Sequence, residues 1–291
     1  MHVAGLLFGR RDSGSFVQAG TRGLEAARDD MGCTLSLHFC DTTDPYARTA
    51  ELQALARSGA DLIVLHGGQG EAPLQAVAPQ WPGQRFALSQ GQLKLPNVAC
   101  YEVALEQPAF LAGALAAWSS RSGVVAHLSG ERVGPGLRGF DAFRAGALHA
   151  MPDMQVLSEF CGQQHDADLA ADCVRAHARN GADVVFTMLG QGREGATRAC
   201  RELGIPQIGD VLDWCVLQPE VFVASVVADS SWCAQQAVQD LYAGTFATGA
   251  RWSVGLERPD VCRLARHPGT PDALRQRVQA LHGAATAYAA A

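Results

Sequence analysis

Lysine is nearly absent from this sequence: Lys94 is the single one, and every other basic side chain is an arginine. Lys and Arg total 23 against 29 Asp and Glu, a net charge of −6, which gives no electrostatic basis for gripping a nucleic-acid backbone or an anionic membrane. Long apolar runs are also missing. The first one, Val3 to Phe8, stops at Arg10, Arg11 and Asp12, too short for a membrane span or a signal-peptide core, so direct membrane insertion is not expected. A periplasmic or other extracytoplasmic location after removal of a leader and a cytoplasmic location both stay open. No Cys-x-x-Cys, no G-x-S-x-G elbow, no Walker A lysine and no histidine pair at i, i+4 occur, which leaves no motif for dithiol, serine-hydrolase, P-loop or helical metal chemistry. Neither a metal nor a cofactor is expected. The nine cysteines sit inside apolar patterns such as VACYEV, so they read as small buried hydrophobes and mildly favour a reducing compartment.

What is abundant is glycine, 31 residues in a chain of 291, and it clusters after short apolar runs as in βα turns. Apolar runs alternate with amphipathic stretches, the pattern of a parallel sheet covered by helices. Strands are predicted at 2–8, 33–40, 60–67, 85–89 and 97–103, with helices at 15–32 (Ser15 capping it, Gln18 completing a capping box) and from Thr43 and Pro45 through Ser58. The pattern then restarts: strands at 123–129, 154–160, 182–188 and 205–211, helices at 107–119, 138–150, 166–180 and 194–203. A helix at 230–243, a short strand at 251–256 and an alanine-rich helix at 270–288 follow.

One internal match supports duplication. Shifted by 122 residues, Arg57, Gly59, Ala60, Asp61, Gly68, Gln69 and Gly70 fall on Arg179, Gly181, Ala182, Asp183, Gly190, Gln191 and Gly192. The fold class expected is α/β: two similar Rossmann-like lobes, residues 1–104 plus about 228–248 and residues 105–227 plus about 249–291. Gly68 and Gly190 would then lie in equivalent turns on opposite sides of one cleft. Ligands of open parallel sheets sit beyond the carboxyl ends of the strands, which directs attention to 12–16, 66–70, Gln90 and Gly91, Glu106, 130–136, 189–195 and 210–214.

Among these, Phe16 can pack into the helix–sheet layer or project as a stacking plate, with Asp12 in the same turn as a hydrogen-bond acceptor. His66 ends a buried strand and can bond a ligand or backbone. Asp210 and Asp213, beside Trp214, can be an acid–base pair, grip a sugar diol, or cap a turn. Two strings, Gly134/Gly136/Gly139 and Gly190/Gly192/Gly195, match G-x-G-x-x-G and read as phosphate loops or as tight turns.

Several segments in order resemble the basic membrane protein family of solute-binding proteins, the nucleoside receptors of ABC importers: DSGSF (12–16), GADLIVLHG (59–67), NVACYEVALEQPAFLAGALAA (97–117), GFDAFRAG (139–146), GADVVFTMLGQGREG (181–195), IPQIGDVLDW (205–214) and FVASVV (222–227). The resemblance implies a type I periplasmic-binding-protein fold with the ligand in the interlobe cleft. It further implies a purine ring stacked on Phe16, with Asp12 and Ser15 as polar contacts, and His66 and Gly67 on the pocket floor. Met188 and Gly190 would meet the ring from the second lobe, and Asp213 would hold ribose hydroxyls with Asp210. Glu106 and Trp214 complete the expected set. Arg193 departs from the family turn and would shrink the pocket or favour an anionic or oxygen-rich solute. The expected partners are a purine nucleoside and the membrane subunits of an importer, with no nucleic acid. A cytoplasmic sensor of the same fold and an enzyme on a doubly wound fold are the alternatives.

Overall fold

The structure is a computed structural model that describes residues 1–288. In chain order it runs β1 (His2–Phe8), α1 (Gly14–Met31), β2 (Thr34–Cys40), α2 (Pro45–Ala56), β3 (Leu62–His66), α3 (Glu71–Val77), β4 (Phe86–Ser89) and β5 (Val98–Val103). Then come α4 (Glu106–Ser119), β6 (Val124–Ser129), α5 (Gly134–Ala150), β7 (Gln155–Phe160), α6 (Ala167–Arg179), β8 (Val185–Met188), α7 (Arg193–Leu203), β9 (Gln207–Asp210), α8 (Trp214–Leu217) and β10 (Phe222–Ala228). The chain ends with α9 (Ser231–Ala243), β11 (Arg251–Val254), β12 (Cys262–Arg266), α10 (Asp272–Ala280) and α11 (His282–Ala287).

Local chemistry sets many of these boundaries. Asp44 caps α2 by accepting from the Tyr46 and Ala47 amides, with Pro45 pre-set in the first turn, and Asp166 caps α6 through the Leu169 amide. Gly32, Gly204 and Gly244 end α1, α7 and α9 in the left-handed conformation. Ser15 does not cap α1. The helix starts one residue earlier, so Ser15 is buried in its first turn, while Ser13 holds the cap position and its hydroxyl donates back to the Arg10 carbonyl at 2.7 Å.

The chain divides into two compact units, Met1–Val103 with Asp229–Ser253, and Ala104–Ala228 with the segment from Val254 on. Each holds a six-stranded sheet, in the order β11-β5-β4-β3-β1-β2 in the first and β12-β10-β9-β8-β6-β7 in the second. The neighbours of β1, β3 and β4, and those of β6 and β8, pair in parallel; β12 runs antiparallel to β10. β11 corrects an expectation that gave everything from about 249 to the second lobe: Gly249 donates to the Val98 carbonyl and Cys100 to the Ala250 carbonyl, which ties it beside β5 in the first sheet.

The two cores are separate. Leu6, Ile63, Leu65, Phe86, Leu88 and Cys100 bury one face of the first sheet against Leu52, Leu55 and Val77 of α2 and α3. Leu128, Val185 and Phe222 do the same in the second sheet, against Val174 of α6 and Ala196 and Cys200 of α7. All nine cysteines are free thiols, eight of them buried and Cys161 partly exposed. Among the described residues no helix is long and apolar enough to cross a membrane.

Candidate functional site

In the first unit, the carboxyl ends of β1, β3 and β4 gather a partly aromatic set with one carboxylate, Asp12. Phe16, in the first turn of α1, is half-buried; one face of its ring stacks on the His66 imidazole with centroids 4.3 Å apart and planes 29° from parallel. One face of the ring is covered and the ring keeps some exposure. His66 bonds backbone, its Nε2 donating to the Phe16 carbonyl at 3.0 Å, with the Ser230 hydroxyl 3.4 Å from the same nitrogen. Burial pulls its pKa down to about 4, so the ring is neutral, and its sealed Nδ1 is left without a partner. Gly67 follows with φ +123°, and a Cβ there would press on the Phe16 ring, so glycine is required twice over. Asp12 is exposed and itself left-handed, at φ +65°, while the buried Ser15 hydroxyl has no partner.

The second unit gathers charge at the same edge. Arg193 opens α7 directly after the glycine turn; it is 7% exposed, and neither its Nε nor its Nη1 has a hydrogen-bond partner. Its guanidinium carbon lies 3.5 Å from the centroid of the Trp214 ring, whose other neighbour is Phe222 at 5.6 Å. The Trp214 indole N–H donates to the Asp210 carbonyl at 2.8 Å, so Trp214 is a packed support. Burial pushes the Asp210 carboxyl up to about 7, against the pull of the Arg193 charge, and its Oδ1 is sealed without a partner. The Asp213 Oδ2 accepts from Arg263 at 3.4 Å, leaving Oδ1 unpaired; it stands at the cap position of α8 without making the capping bond.

Other expected residues are already engaged within the second unit. Glu106, at the start of α4, faces Arg138 at 4.0 Å. The Gly190 amide donates to the Gln164 side chain at 3.3 Å, and the Gly192 amide to the Gln164 carbonyl at 3.0 Å. Half-buried Met188 packs its sulfur against Gly139. Neither G-x-G-x-x-G string is a phosphate loop. Gly134, Gly136 and Gly139 lie inside α5, and a Cβ on Gly195 would collide with the Ala167 carbonyl, so these glycines serve close packing. Among the described residues, no group of three His, Cys, Asp or Glu could hold a metal ion.

Sequence reasoning does not single out Ser89 as a ligand group, nor Gln90 beyond its place after a strand. Both are 1% exposed, and the Ser89 Oγ and Gln90 Oε1 lack partners. Gln90 and Val211 stand directly after β4 and β9, and both are left-handed, at φ +62° and +65°. For a β-branched valine this is a strained conformation of the sort that collects at binding sites. The available signal was polarity at a strand end, LSQG; the dihedral itself is invisible in sequence.

Comparison with known proteins places this geometry. Residues 2–275 match the Bmp family, described as ABC transporter substrate-binding protein PnrA-like. Basic membrane protein B of Borreliella burgdorferi is 27% identical over 238 residues, spanning 77% of this chain and 69% of that protein. A purine-binding protein of Brucella abortus is 22% identical over 204 residues, 70% of this chain and 57% of its own length. An ABC transporter solute-binding protein from Aeropyrum pernix superposes with a TM-score of 0.80 at 22% identity, over 98% of this chain and 86% of its own. A transcriptional activator from Bacillus halodurans reaches 0.74 at 18% identity, over 97% and 96%, so the fold is shared by transport and regulatory proteins alike. The fold is that of type I periplasmic binding proteins, and over nearly all of its length the chain belongs to the Bmp family of PnrA-like ABC transporter substrate-binding proteins.

Proposed function

We propose that this chain is the extracytoplasmic receptor of an ABC importer, and that it binds a purine nucleoside and releases it unchanged. The observation that carries the proposal is the Phe16 ring at the carboxyl end of β1, backed on one face by the neutral His66 and still partly exposed. A backed aromatic ring beside an exposed carboxylate, Asp12, suits a flat polar heterocycle. In the second unit, the unpaired Asp213 Oδ1 suits the hydroxyls of a ribose, and Arg193 and Asp210 add further polar groups at the same edge. The purine-binding relative in Brucella abortus supports the same ligand class. The free thiols do not oppose an oxidising compartment, because burial pushes Cys200 and Cys215 up to about 12 and keeps them protonated and inert.

Calorimetry with bases, nucleosides, sugars and amino acids tests the proposal, with mass analysis of the recovered solute. Purine nucleosides should bind and be recovered unchanged. Phe16→Ala should weaken them by about 10- to 100-fold through loss of a stacking face. Asp213→Asn should weaken nucleoside more than free base, by roughly 1–2 kcal/mol. Binding of sugars or amino acids alone, or turnover of the nucleoside, would overturn it.

A further inference from the structure

Phe16 opens a helix that packs on β1 and β2 and buries Val17, Leu24 and Ala27, yet its own ring stays only half-buried. The reason lies one turn along α1. Phe16 and Gly20 are four residues apart and share a helix face, and a side chain at position 20 would lean back toward Phe16. Glycine leaves that space empty of helix atoms. A Cβ there would lie 2.5 Å from both Cγ and Cδ2 of the His66 imidazole, so the imidazole occupies the seat that residue 20 gives up. The Phe16 ring stacks on the seated imidazole with centroids 4.3 Å apart. The far edge of the imidazole is held too, Nε2 donating to the Phe16 carbonyl at 3.0 Å with the Ser230 hydroxyl 3.4 Å away. Gly67 then locates the edge of the Phe16 ring, where a Cβ would come within 3.2 Å of its Cε1.

Histidine is an expensive occupant for this seat if packing is all it does. It is 1% exposed and its Nδ1 is sealed without a partner, a penalty that leucine or phenylalanine would not carry. An apolar ring would stack on Phe16 without holding its carbonyl, and an amide would hold the carbonyl without stacking. Histidine is the smallest side chain that does both. Every one of these contacts lies within the first unit, between α1, β3 and the residue that precedes α9. Given the purine reading above, on which this inference rests, we infer that His66 is a positioning residue, a wedge seated on Gly20 that keeps the Phe16 ring out of the helix–sheet layer and fixes it as the stacking plate. It acts through Phe16 and not on the ligand: one ring nitrogen is spent on backbone and the other is sealed.

The test is a double-mutant cycle between His66 and Phe16 on the whole chain, read by calorimetry with adenosine, inosine and free adenine. His66→Gln keeps a donor for the Phe16 carbonyl and removes the wedge. With Phe16 present it should weaken both nucleosides by about 3- to 10-fold. In the Phe16→Ala background it should cost nothing further, because no plate is left to position. A loss of the same size in both backgrounds, or no loss in either, overturns the assignment. If His66→Gln fails to fold, Gly20→Ala carries the test: it keeps the histidine, favours the helix, and pushes the imidazole off its seat. It too should weaken the nucleosides by about 3- to 10-fold with Phe16 present and not in its absence; unchanged binding overturns the wedge. Free adenine should lose as much as adenosine in each variant, since the plate meets the base alone, and a loss confined to nucleosides overturns it as well. Failure of the unaltered protein to bind any purine is a different result, which overturns the purine reading and takes the wedge's role down with it.

Discussion

The two units arrange six strands in the same order, and the chemistry at the carboxyl ends of those strands differs sharply. At the end of β4 stands Ser89, at the end of β9 Asp210; beside β3 stands the Phe16–His66 stack, and beyond β8 the Arg193–Trp214 stack. The first edge is aromatic with one exposed carboxylate, Asp12, whereas the second carries a buried cation and two carboxyls. What the units keep in common is backbone: the residue after β4 and the residue after β9 are both left-handed, and each is braced by its amide donating to the next strand, Gln90 to the Tyr101 carbonyl and Val211 to the Val226 carbonyl. Duplicated topology fixes where side chains are presented, and substitution after the strands decides what is presented.

The helix layers offer the strongest way to break the parallel. In the first unit α1 meets α9 through Gly23, where a Cβ would strike the Ser231 carbonyl. In the second, α5 meets α4 through Gly146, where a Cβ would strike the Phe110 carbonyl, and Gly113 of α4 similarly approaches the Phe143 carbonyl. Because backbone is the obstacle, no rotamer change relieves the clash. Gly146→Ala and Gly23→Ala should each destabilise by about 2–3 kcal/mol, even after the gain of ~1 kcal/mol in helix propensity. Denaturant unfolding measures this; a neutral result at either site would show that its helix pair can slide apart, and that the two layers are not equivalent.

Most of the sheet was legible because its inner strands are short and rich in apolar residues: every residue of β3, β4 and β5 is buried. The repeat was legible because the helix-end glycines and the turn glycines on either side of β3 and β8 serve the same geometry twice. Three elements escaped, α3, β12 and the one-turn α8, and the helix expected at 270–288 is broken into α10 and α11. β12 is five residues long with Arg263 and Arg266 among them, and α3 carries Pro73 inside its first turn. The site was legible as a set of strand ends and no further. Phe16 and His66 are 50 positions apart, and only the pairing of β1 with β3 brings them together. That Arg263 of β12 would engage Asp213, and that Arg193 would be left without acceptors, depends on packing that no local pattern encodes.

A pH-dependent effect sharpens the contrast between Ser89 and Asp210. The folded protein keeps the Asp210 proton up to about pH 7, whereas an unfolded chain releases it near the ordinary value of 3.8. The folded state therefore binds more protons through that window, and stability falls as pH rises from about 4 to 7, levelling off above. Asp210→Asn removes this contribution. Its melting temperature relative to wild type should climb between pH 5 and pH 8, while Ser89→Ala should show an offset that does not change with pH. A constant offset for Asp210→Asn would mean that the carboxyl is ionised throughout and that the second edge is more strongly charged than its burial implies.

The smallest expected effect probes what the units share. A residue with a Cβ costs roughly 1–2 kcal/mol in the left-handed region, and glycine avoids that cost but loses more chain entropy on folding. Replacing Gln90 by alanine and by glycine, and Val211 likewise, cancels the differing losses of side-chain contacts within each pair. Glycine should be the more stable of each pair by about 0.5–1 kcal/mol, and by a similar margin in both units. The reason to expect symmetry is the brace: with both amides held by the adjacent strand, neither residue can relax its φ to escape the strain. If alanine equals glycine at 211 but not at 90, the second unit has a way to relax that the first lacks. Its left-handed turn would then be a consequence of how Val211 packs beside Asp210, and would no longer count as an inherited feature of the strand end.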